Sequence, residues 1–79
     1  MNGNSKDLVN HPAHYGGGVE CIEAIESGVE GLPPFQAVLV GNVIKYLWRF
    51  HRKGKPAEDL KKAQWYLNQL IKKVEVRDE

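Results

Sequence analysis

Three groups of side chains in this 79-residue chain have types and spacings that could do chemistry. The first is the stretch NHPAHYGGGVE, residues 10–20, with His11, His14 and Tyr15 just ahead of three glycines. Glycines let backbone amides approach an anion closely, and a helix starting just beyond them would add the positive end of its dipole. The stretch is not a Walker A loop, because Val19 and Glu20 stand where a Gly-Lys-Ser/Thr ending is required. Two histidines need at least one further ligand to hold a metal, so no metal site is expected. The functional expectation is contact with a phosphate or a base. The structural alternative is a turn in which the imidazoles cap nearby backbone groups.

The second group is Asn42, Lys45, Arg49 and Arg52, spaced by three, four and three residues. On a helix these positions span an arc of roughly 80°. An arginine can fork onto a phosphate, a lysine adds a point charge, and an asparagine can read a base edge or a backbone. A face that is solvated, or salt-bridged to a neighbouring subunit, is the alternative. The third group is aromatic: Tyr46, Trp48, Trp65 and Tyr66. On a helical wheel Trp65 falls among Lys61, Asn68, Gln69 and Lys72, away from the apolar positions, which suits an oligomer contact or a base-stacking platform.

Composition narrows the function classes. A net charge of +1 argues against general duplex DNA binding. The charge is nonetheless unevenly placed. Glu20, Glu23, Glu26 and Glu30 cluster without a cation, and Lys45, Arg49, Arg52, Lys53 and Lys55 cluster without an acid. That asymmetry suits an anionic ligand or a second subunit. The lone cysteine, Cys21, rules out an intrachain disulfide and reads as a small buried apolar residue. A nucleophilic pair of Cys21 with His14 lacks an orienting third group. No apolar stretch is long enough to span a bilayer, so no membrane partner is expected and the expected compartment is the cytoplasm.

These residues must be positioned by helices, and an all-α fold is expected. Residues 1–9 read as an arm, 10–76 as one domain and 77–79 as a solvated tail. A short helix is expected from Val19 to Ser27, stopped by Gly28. A second should run from Pro34 to Arg52 or Lys53, ended by Gly54, with Val40, Val43, Ile44, Leu47 and Phe50 as its buried face. A third should run from Pro56 to about Val76, with Leu60, Ala63, Leu67, Leu70, Ile71 and Val74 as its apolar stripe. The short link between the last two implies an antiparallel helical hairpin. So small a chain buries little, and assembly as a homo-oligomer is expected.

The blocks VNHPAHYGGGVECIEAIE, GNVIKYLWRFHRKGK and EDLKKAQWYL, in that order, resemble the motifs of a small bacteriophage family called SaV-like, whose members are often labelled nucleotide kinase. The similarity runs from about Val9 to Ile71. Pro12, His14, Tyr15, Gly41, Asn42, Lys45, Tyr46, Trp48, Arg49, Asp59, Leu60, Lys62, Ala63, Trp65 and Tyr66 are the matched positions. The basic turn FHRKGK departs from the small-residue turn expected there, in a direction that favours anion binding. The resemblance implies phage origin and nucleotide handling. One related region lies in a larger phage protein that phosphorylates deoxynucleoside monophosphates, and another member triggers a host abortive-infection system. Three functions are therefore expected in competition. The first is capture of a nucleotide or cyclic oligonucleotide, which would sequester a host antiviral signal in the host cytoplasm. The second is a deoxynucleoside monophosphate kinase, using Mg2+ held by Asp59 as the best-matched acid. The third is an adaptor for a host defence protein. The ligand-binding residues expected are His11, His14, Tyr15, Asn42, Lys45, Arg49, Arg52 and Trp65.

Overall fold

A computed structural model of the chain describes residues 18–52 and 54–78, with side chains as far as residue 76. Three helices account for most of them: α1 (Cys21–Val29), α2 (Pro34–Arg49) and α3 (Pro56–Asp78). No strand occurs among the described residues. No helix there is long and apolar enough to cross a membrane.

Each helix begins with a local signal. Glu20 sits at the N-cap of α1 in extended backbone, and its N–H donates to the Glu23 carboxylate at 3.0 Å. That bond satisfies an amide that would otherwise be unpaired at the helix start. Proline opens both α2 and α3, at Pro34 and Pro56, where the missing N–H costs nothing. Glu58 and Asp59 in the first turn of α3 complement its dipole.

The helix ends depart from expectation in two places. α1 runs through Gly28 to Val29, and the left-handed residue that turns the chain is Gly31, at φ 83°. Gly28 serves packing instead: a Cβ placed there would lie 3.0 Å from Ile44 Cδ1. α2 ends at Arg49, three residues before Arg52. There the chain tightens, with the Arg52 N–H donating to the Arg49 carbonyl at 2.9 Å, and Gly54 at φ 83° completes the reversal.

α2 is the middle element, with α1 packed on one side and α3 on the other. The α1–α2 contact is reciprocal. Gly28 of α1 meets Ile44 of α2, and Gly41 of α2 meets Ile25 of α1, whose Cγ2 lies 3.4 Å from a Cβ built on Gly41. The α2–α3 contacts pair Arg49 with Asp59, Tyr46 with Tyr66 and Phe35 with Lys73. Numbers fall along α2 as they rise along α3, so the hairpin is antiparallel.

Full burial is confined to Leu39, Ala63 and Asp59 among the described residues. The expected α2 face is only partly covered: Val40, Val43, Ile44 and Phe50 are half-buried and Leu47 is exposed. The most buried residue of α2 is instead Leu39, outside the expected stripe and on the side of the helix that carries the α3 contacts of Phe35 and Tyr46.

Candidate functional site

The centre of the α2–α3 hairpin is an ion pair. Arg49 donates from Nε to Asp59 Oδ2 at 3.1 Å and from Nη2 to Oδ1 at 3.3 Å. This is the forked geometry that suits guanidinium and carboxylate. Asp59 is 2% exposed, so its charge depends on that fork. The hydrogen bond to Asp59 raises the Arg49 pKa above its ordinary value, against the opposing effect of desolvation. Arg49 therefore remains charged throughout the ordinary pH range. Asp59, expected as a metal-holding acid, instead spends both oxygens on tying α3 to the end of α2.

The rest of the basic stripe divides by task. Asn42 Nδ2 donates to the Val38 carbonyl at 3.0 Å, one turn back on its own helix. That local bond accounts for a residue that is otherwise a poor helix former. Arg52 Nη1 donates to the Trp48 carbonyl at 2.9 Å, satisfying an acceptor at the end of α2. Lys45 takes a different course, with Nζ 4.5 Å from the centre of the Tyr46 ring.

Tyr46 gathers the remaining features. Arg49 Cζ lies 5.3 Å from its ring centre and Lys62 Nζ, from α3, 5.7 Å. The electron-rich face of a phenol ring attracts all three cations. The Tyr66 ring stacks on Tyr46 at 6.0 Å and 17°, and Trp65 stands edge-on to Tyr66 at 5.1 Å and 86°. Trp65 is itself 58% exposed. The result is an aromatic cluster bridging two helices, cationic at one end and ending in an accessible indole at the other. Such a surface can stack a planar ring and pair with an anion beside it.

The structure brings Lys45, Arg49 and Trp65 of the expected set to this one region and gives Asn42 and Arg52 backbone bonds on α2. The expected contacts at His11, His14 and Tyr15 lie outside the described residues. Lys62 was not among the expected ligand residues. In sequence it looks like one more solvated lysine of α3, and only the pairing register of the hairpin carries it to Tyr46. Burial pushes the Cys21 thiol pKa up while Lys45 pulls it down, and the net rise makes it a poor nucleophile at neutral pH. Among the described residues no group of three or more His, Cys, Asp or Glu side chains is placed to hold a metal ion.

A protein-family model matches residues 9–68. The chain belongs to the DUF3310 family. That family is described only as a protein of unknown function. The DUF3310 match takes in His11, His14 and Tyr15, all of α1 and α2, and α3 as far as Asn68, so every residue of the cation–aromatic cluster falls inside it. No curated protein and no solved structure matches the chain.

Proposed function

We propose that this DUF3310 domain binds a nucleotide or short oligonucleotide, stacking a base on Trp65 and meeting phosphate with Lys45 and Lys62, and releases it chemically unchanged. The supporting observation is the exposed indole set against a tyrosine pair that holds cations at 4.5 and 5.7 Å. An aromatic face accepts any base, and a neighbouring ammonium supplies the charge that a phosphate needs. The resemblance to SaV-like phage domains points the same way. In that setting the captured molecule is a nucleotide signal of host antiviral defence, and the protein withdraws it from circulation.

Capture is favoured over phosphoryl transfer by the state of Asp59. Transfer calls for acids that hold magnesium against the phosphates. The acid best matched to that task is buried, with both oxygens committed to Arg49.

The test is calorimetric titration of the full chain with mononucleotides and with cyclic di- and trinucleotides. In parallel, the chain is incubated with ATP, Mg2+ and each deoxynucleoside monophosphate, and products are followed by chromatography. Binding without turnover is expected. Losing a stacked base should cost about 1–3 kcal/mol, so Trp65→Ala should weaken affinity roughly five- to 150-fold. Turnover would establish the kinase instead. Absence of binding to every nucleotide would leave the basic surface to a protein partner.

A further inference from the structure

Helix α3 carries two apolar seams that share Leu60, Leu67 and Val74. The inner seam adds Ala63 and Leu70, which are buried and half-buried against α2. The outer seam adds Ile71 and one polar position, Gln64, both exposed. Positions 60, 64, 67, 71 and 74 follow the strict four-three alternation of a coiled coil. Along this outer seam Leu60, Leu67, Ile71 and Val74 remain 40–45% exposed. Beside its first half lies an open, largely apolar groove of about 370 Å³, with Val43, Leu47, Leu60, Ala63 and Leu67 as its apolar lining and Lys61 and Gln64 as its polar one. A strip of this length and spacing is what a helix presents to another helix.

We propose that the outer seam of α3 joins two copies of this chain, with the two α3 helices antiparallel about a two-fold axis beside Asn68 and Gln69. The choice of occupant rests on charge complementarity. With Gln64 and Ile71 in one core position of the heptad and Leu60, Leu67 and Val74 in the other, one flank of the seam is Lys61, Asn68 and Glu75, spaced seven apart. In an antiparallel coiled coil, equivalent flanks face each other. Set Leu67 against the partner's Ile71. Lys61 then faces the partner's Glu75, Asn68 faces the partner's Asn68, and Glu75 faces the partner's Lys61. The groove at one end of the seam is filled by the partner's Ile71 and Val74, which project from the other end. A parallel pair would instead set Lys61 against the partner's Pro56, Asn68 against the partner's Ala63 and Glu75 against the partner's Leu70, with no charge matched. The flank thus complements itself in one orientation, the one that closes as a symmetric dimer.

Light scattering and sedimentation equilibrium on the full chain test this. The wild-type mass should be twice 8.9 kDa at concentrations of tens of micromolar. Ile71→Glu should give the monomer mass. Lys61→Glu alone and Glu75→Lys alone should each weaken the dimer about tenfold, since each reversal turns two attractive pairs repulsive. Both side chains are exposed, so circular dichroism should be unchanged. An equimolar mixture of the two single variants, and the double variant in one chain, should each recover wild-type affinity. A monomer at all concentrations overturns the proposal. So does a dimer that ignores the charge reversals, or one that the mixture and the double variant fail to rescue.

Discussion

At the scale of the residue, a basic stripe that looks uniform in sequence is divided among three tasks. Arg49 is structural, Asn42 and Arg52 complete the backbone bonding of α2, and Lys45 faces an aromatic ring. Arg49→Ala should therefore lower the melting temperature by several degrees, while Lys45→Ala leaves it nearly unchanged, as thermal unfolding followed by circular dichroism would show. The physical reason is the carboxylate at Asp59, 2% exposed, which Arg49→Ala would strand without a partner. Arg49→Met combined with Asp59→Leu should recover much of the loss, because replacing both partners removes the stranded charge. The pair should also resist alkali. A group whose pKa is raised on folding contributes its stability at every pH below its unfolded value, and for Arg49 that covers the ordinary range. If Arg49→Ala melted like the wild type, the fork would have no part in holding the hairpin.

At the scale of the element, one glycine lies where α1 and α2 meet and another where the chain turns between them, and they differ in tolerance. At Gly41 an added methyl meets Ile25 Cγ2 at 3.4 Å, an ordinary van der Waals distance. Alanine also removes the entropic cost of glycine inside a helix. Gly41→Ala should thus stabilise the domain by about 0.5–1 kcal/mol, read from urea unfolding. At Gly31, φ is 83° and any side chain strains the backbone, so Gly31→Ala should destabilise it by about 1 kcal/mol even though the added Cβ meets nothing within 4 Å. Opposite signs at two glycines separate close packing from backbone conformation. If Gly41→Ala destabilised the domain, α1 would lie closer to α2 than these contacts allow.

At the scale of the whole molecule, the described chain buries Leu39 and Ala63 among its apolar residues and leaves Leu47, Leu60, Leu67, Ile71 and Val74 at least 40% exposed. A domain built this way draws stability from whatever covers that strip. The melting temperature should therefore rise with protein concentration, because assembly favours the folded state by mass action. Scanning calorimetry from a few micromolar to a few hundred micromolar would show the rise, and Ile71→Glu should abolish it. A melting temperature independent of concentration in the wild type would mean that the folded unit is the single chain.

The all-helical class and the hairpin were legible in sequence, because proline, glycine and apolar spacing act locally and leave a pattern along the chain. Pro34, Pro56 and Gly54 mark boundaries for this reason. The basic and aromatic residues were legible as types, but their tasks were not. Gly28 read as a helix stop, since the chain alone does not show Ile44 across from it. Asp59 read as a candidate for holding metal, since nothing local shows that Arg49 takes both its oxygens. Lys62 was a matched position of the resemblance but not an expected ligand residue, since it reaches Tyr46 only across the hairpin. Sequence alone determined which segments coil and which residue types each helix face carries. The tertiary structure decided which polar groups are consumed by one another, because that depends on contacts between helices whose register no local signal encodes.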